Sequence, residues 1–136
     1  MLTEKHVFHV VARTAVIVLF AVGCGAAAKQ SNDATPAIQE TIDIGIVSRG
    51  GFKEGRALVR NRGKAPVRIA LIEKSCECVE LIMPSMEFGS NEQFAATVTY
   101  DGSHEPDFTG GLQVEIRLFD EVRREVGIIH VVVEVQ

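Results

Sequence analysis

From Thr41 to the C-terminus the apolar residues recur at every second position, a period that belongs to half-buried strands and leaves no room for an amphipathic helix. Ile42, Ile44 and Ile46 alternate with Thr41, Asp43 and Gly45 until Gly50-Gly51 closes the run. A second segment covers Gly55–Arg60, with Ala57 and Val59 on one face and Arg56, Leu58 and Arg60 on the other. Asn61-Arg62-Gly63-Lys64 reads as a turn in which Gly63 is free to supply a positive φ. Val67, Ile69 and Leu71 make a third strand, entered through Pro66, whose missing N–H suits a strand start. The alternation breaks at Glu73-Lys74 and resumes at Val79, Leu81 and Met83. Phe94 to Tyr100, Leu112 to Leu118 and Ile129 to Val135 complete the pattern, with Gly110-Gly111 read as a turn. About seven short strands joined by turns predict an all-β fold, an immunoglobulin-like antiparallel β-sandwich over residues 41–136.

The N-terminus has a different composition. Lys5, His6 and Arg13 precede the uncharged, mostly apolar run Thr14–Gly23, which has the length of a secretory h-region. A helix that crosses a bilayer takes roughly 20 apolar residues, so this run is too short to span one. Ala21-Val22-Gly23-Cys24 closes it, and a small residue ahead of Cys at this place resembles the bacterial lipobox. The resemblance implies cleavage after Gly23 and a lipid on Cys24, making residues 1–23 a lipoprotein signal peptide. Ala21 stands where lipoboxes usually carry Leu. Acyl chains contribute roughly 0.8 kcal/mol per buried CH₂, and two or more hold a protein durably at a membrane surface. Residues 24–40 are small and polar beyond the lipidated Cys and read as a flexible tether with a root-mean-square reach of roughly 20–24 Å. The expected location is the cell envelope, facing the periplasm or exterior.

A formal charge of −4, with Lys and Arg interspersed among acids, argues against nucleic acid as a partner. No nucleophile–base motif, phosphate-cradling Gly loop or zinc-protease helix is present, so no enzyme and no cofactor are expected. Of three cysteines, Cys24 is assigned to the anchor, which leaves Ser75-Cys76-Glu77-Cys78-Val79 as the chemically unusual segment. In a regular strand, residues two apart are separated by about 6.5 Å, at roughly 3.3 Å per residue. A disulfide wants Cβ atoms near about 3.8 Å, so a bridge needs a bend. Three readings stand side by side for Cys76 and Cys78: an inert pair, bridged or buried; a thiol-exchange pair; and a site for a soft ion such as Cu(I). His104 and His130 are distant candidates as further ligands, His130 lying on the face opposite Ile129 and Val131.

Asp43-Ile44-Gly45, Val59-Arg60-Asn61-Arg62-Gly63-Lys64-Ala65-Pro66-Val67, Ser75-Cys76-Glu77-Cys78, Glu92 and Val98-Thr99-Tyr100-Asp101 resemble, in order and spacing, the bacterial family called domain of unknown function 1573. That family is similar to the Hydin-type immunoglobulin-like domains. Its pattern runs Asn-Thr-Gly, Ser-Cys-Gly-Cys-Thr and Pro-Gly-Glu; here Arg62 replaces the Thr, Glu77 the middle Gly, and Ser90-Asn91 precede Glu92. The resemblance implies a sandwich, export and frequent lipidation, and no reaction.

The sequence therefore predicts a membrane-anchored, non-enzymatic envelope lipoprotein whose immunoglobulin-like domain binds a protein partner or serves as a structural module. The alternative is a thiol-redox or copper(I)-binding role for Cys76 and Cys78. Mass spectrometry of the membrane fraction is expected to find a mature chain that starts at an acylated Cys24. Recovery from the cytosol with residues 1–23 intact overturns that expectation.

Overall fold

The computed structural model describes residues 35–136, so the expected signal peptide, Cys24 and most of the expected tether lie outside the described residues. Nine strands follow: β1 (Ile38–Val47), β2 (Phe52–Arg60), β3 (Val67–Arg68), β4 (Leu71–Lys74), β5 (Val79–Ile82), β6 (Glu87–Phe88), β7 (Gln93–Asp101), β8 (Gly110–Phe119) and β9 (Glu125–Val135). A single 3₁₀ turn, Gly102–His104, is the one helical piece among the described residues. The first sheet has the order β1-β9-β8-β4 and the second β2-β7-β5, with β3-β6 as a short ribbon. The expected immunoglobulin-like sandwich is thus the fold of this chain.

Alternation along the strands puts one face of each sheet into a shared core. Ile42, Ile116, Leu118, Ile129, Val131 and Val133 enter it from the first sheet, and Val59, Val79, Val98 and Tyr100 from the second, all essentially without solvent contact. Burying side chains of this size contributes roughly 1.5–3 kcal/mol each, which is what clamps the sheets together. The first strand starts at Ile38, three residues ahead of the expected boundary at Thr41, because Ile38 is itself fully buried. Its neighbour is Gly127, where an added Cβ would stand 2.9 Å from both Ile38 Cβ and Leu118 Cδ1. Only glycine fits there.

β1 runs parallel to β9, whereas the other paired strands are antiparallel. Ile38 therefore lies beside Gly127 at one end of the sandwich, and Val47 beside Val135 at the other.

Four local expectations need correction. Ile46 does not join Ile42 and Ile44 in the core, because the register slips between Asp43 and Gly45. Gly45 takes φ +79° and its N–H donates to Asp43 Oδ1, so this bulge reverses the phase of the strand. Ile46 is turned outward and Val47 inward. The third expected strand is split, because Ile69 N–H donates to Met86 O while Ala70 N–H donates to Phe119 O. The chain crosses from the β3-β6 ribbon to the first sheet between those two residues. Gly110-Gly111 opens β8 rather than forming a turn.

Gly63 is the fourth, since it is not among the residues with positive φ. The loop is shaped instead by the side chain of Asn61, which is 0% exposed. Its amide donates to Ala65 O at 2.9 Å, Gly89 O at 3.1 Å and Phe88 O at 3.4 Å, while its Oδ1 accepts from Gly63 N–H at 2.9 Å. Asn61→Ala strands these buried backbone groups, and an unsatisfied buried group costs about 1–3 kcal/mol. Urea unfolding is expected to show a loss of about 2–3 kcal/mol, and a loss under about 0.5 kcal/mol would contradict the role given to the amide.

Candidate functional site

Strand register sorts the loops into two groups. The Asn61–Pro66 loop, the Gly89–Glu92 turn and the Asp120–Arg124 hairpin turn belong to the end where Ile38 lies. The β1-β2 turn, the Gly102–Thr109 segment and the Cys76–Cys78 turn belong to the opposite end. Phe52 pairs with Asp101, and Asp101 N–H donates to Cys78 O, so these three residues form one cross-strand row there.

Cys76 and Cys78 are joined as a disulfide, with Cα atoms 5.2 Å apart. The bend that the broken alternation predicts is present, since Glu77 and Cys78 form a turn between β4 and β5. On one side Ser75 extends the β4-β8 pairing, donating from its N–H to Glu115 O and accepting from Glu115 N–H on its Oγ. On the other, Cys78 O is held by β7. Cys78 is 2% exposed and packs in the core, whereas Cys76 is half-buried at its margin. Cys78 N–H points at Cys76 Sγ, 3.1 Å away.

The Lys74 ammonium sits between Glu80 at 2.6 Å and Glu77 at 3.2 Å. The hydrogen bond to Glu80, and then that to Glu77, hold its pKa above the ordinary lysine value. Tyr100, one residue before Asp101 on β7, is also raised, first by burial and then by the carboxylates of Glu105 and Asp101. Asp101 is lowered, chiefly because it accepts hydrogen bonds from Ser103.

His104 lies 4.0 Å from Asp101, and His130 Nδ1 lies 3.2 Å from Gln113 Nε2 on the outer face of the first sheet. Among the described residues no group of three His, Cys, Asp or Glu side chains is placed to hold a metal ion. Two sulfurs bonded to each other also present no thiolate to a soft ion. Cys24, the expected lipidation site, falls outside the described residues.

The alternation does not reveal the apolar surface beside the disulfide end. Ile46 is 60% exposed and Phe52 is 65% exposed, and Lys53 Nζ donates to Ile46 O at 3.1 Å, holding the ends of β1 and β2 side by side. Gly inside a strand pattern was the available signal for the bulge that turns Ile46 outward. An open cleft of about 490 Å³ lies at the Ile38 end, between Pro66-Val67 and Asp120–Val122. Of its rim charges, Arg68 pairs with Glu87 and Glu121, and Arg124 with Asp120.

A family model described as "Protein of unknown function (DUF1573)" matches residues 36–124. The chain belongs to this family. Two of the three motifs expected of a DUF1573 domain converge at its Ile38 end: Asn61 and Gly63 meet each other, Ser90 Oγ donates to Gly63 O, and Glu92 accepts from Gly89 N–H. Those motif residues are occupied in shaping turns, which leaves the cysteine motif at the other end.

Among solved structures, a protein of unknown function from Porphyromonas gingivalis superposes with a TM-score of 0.54 at 15% identity, covering 74% of this chain and 50% of that one. The DUF1573 chain thus spans about half the length of that relative. The VesB protease of Vibrio cholerae reaches 0.48 at 10% identity, covering 71% of this chain and 31% of the protease. A human ASH/PapD-like domain reaches 0.43 at 12% identity, covering 71% and 79%. No curated protein matches the sequence.

The raised pKa values set a direction for stability at high pH. A group whose pKa is raised by folding contributes stability that is intact below its unfolded value and is lost as pH climbs through its folded value. For Tyr100 and Lys74 the loss begins above the ordinary values of 10.0 and 10.5. Denaturant unfolding between pH 8 and about 11.5 is expected to show falling stability, and Lys74→Met is expected to flatten the upper part of that fall. Superimposable pH profiles for the two proteins would remove Lys74 from this account.

Proposed function

We propose that this DUF1573 chain is a non-enzymatic, lipid-anchored module of the cell envelope that acts by binding another envelope protein. The observation that carries the reading is the exposure of Ile46 and Phe52 at the end of the sandwich opposite Ile38. An isolated exposed apolar residue needs no explanation, but these two lie on strand ends tied together by the Lys53–Ile46 hydrogen bond. Leu58 and Ile82 are separated by β7, opposite Ala95 and Thr97. Burial of an Ile and a Phe against a partner is worth roughly 1.5–3 kcal/mol each, enough to dominate a small interface.

The lipobox-like Cys24 and the tether support an arrangement in which the chain reaches the domain at its Ile38 end. The Ile46 and Phe52 end is the end of the sandwich opposite the start of β1. The net negative charge favours a protein partner over nucleic acid.

The test compares capture of envelope proteins by the wild-type chain, by Ile46→Asp/Phe52→Asp, and by Val122→Asp, which alters the 78% exposed residue at the other end. Partners enriched by the wild type are expected to fall about tenfold with the double variant, equivalent to about 1.4 kcal/mol, and to persist with Val122→Asp. Equal capture by all three proteins, with unchanged circular dichroism, overturns the assignment of the surface.

A further inference from the structure

We infer that the Cys76–Cys78 disulfide is a thiol-exchange site, attacked at Cys76 by one thiolate of a dithiol partner. This goes beyond the contact role and does not depend on the lipid anchor.

The bond spans two residues and ties no distant parts of the chain together. The strands on either side are already fixed by the Ser75–Glu115 and Cys78–Asp101 backbone hydrogen bonds. A disulfide closing so small a loop adds little to stability, so the oxidised and reduced chains both keep the sandwich. The sulfurs are also unequal in access, because Cys78 is 2% exposed and Cys76 lies at the margin of the core. An incoming thiolate reaches Cys76 first.

The Cys78 N–H directed at Cys76 Sγ favours negative charge on that sulfur once it is released. Glu77, the carboxylate between the two cysteines, is paired with Lys74, which it shares with Glu80.

In the exchange, the partner's thiolate attacks Cys76 Sγ, the Cys76–Cys78 bond breaks, and Cys78 leaves with the bonding pair and takes a proton from water. The partner's second thiolate then attacks the partner sulfur of the mixed disulfide and expels Cys76 as thiolate. Two electrons pass from the dithiol to the cysteine pair, and the partner ends as a disulfide. The reverse sequence oxidises the pair.

The full chain carrying Cys24→Ser isolates these two sulfurs from the third. It is treated with dithiothreitol as the dithiol or reduced glutathione as a monothiol, quenched by alkylation and weighed by mass spectrometry. Dithiothreitol is expected to expose two alkylatable thiols without loss of the folded circular dichroism spectrum, and glutathione to leave an adduct on Cys76. In single variants, Cys76 in Cys78→Ala is expected to react with a thiol reagent about tenfold faster than Cys78 in Cys76→Ala. The inference fails if the bond survives dithiothreitol until the fold melts, if glutathione is found on Cys78, or if the native chain carries a metal ion on two free thiols.

Discussion

The side-chain amide of Asn61 is the interaction on which the rest of the sandwich is hung. It lies at the point where β2 ends, and its hydrogen bonds take in the following loop and the backbone between β6 and β7. Asn61 N–H donates to Glu92 O as well, so one residue fixes where β3 begins and where β7 starts its pairing with β2. A buried polar group is costly when unmatched and directional when satisfied, and here all of its capacity is spent on backbone atoms. The β3-β6 ribbon is only two residue pairs long and would have little to hold it without that brace.

Much of the architecture was legible as alternation. β7, β8 and β9 are long, and their inner residues Phe94 to Tyr100, Leu112 to Leu118 and Ile129 to Val135 keep a strict period of two that no other element type shares. What stayed hidden was each place where the backbone leaves that rhythm. The Gly45 bulge changes the phase of β1 with one residue, and the same Ile pattern then predicts the wrong face for Ile46. The switch at Ile69 and Ala70 leaves no mark in hydropathy, because each half is apolar toward its own sheet. Asn61 looked like a turn residue because its burial depends on Ala65, Phe88 and Gly89, the latter two distant in sequence.

The cysteine segment was legible in a different sense. Broken alternation at Glu73–Cys78 predicted the bend, but spacing alone left bridged, exchanging and metal-holding forms open. The structure adds the differences that sequence spacing does not carry: unequal exposure of the two sulfurs, a backbone N–H aimed at one of them, and a lysine set against the intervening carboxylate. The other motif residues, Asn61, Gly63 and Glu92, meet at the far end of the molecule in a purely architectural cluster.

The parallel alignment of β1 with β9 also governs how the domain carries load. Nine residue pairs run along that contact, from Ile38–Gly127 to Val47–Val135. Tension applied between the N-terminal end of β1 and the C-terminal end of β9 draws β1 lengthwise along β9, so the hydrogen bonds share the strain in shear instead of opening one by one like a zip. Mechanical resistance in this direction follows from strand polarity, with no contribution required from a covalent cross-link.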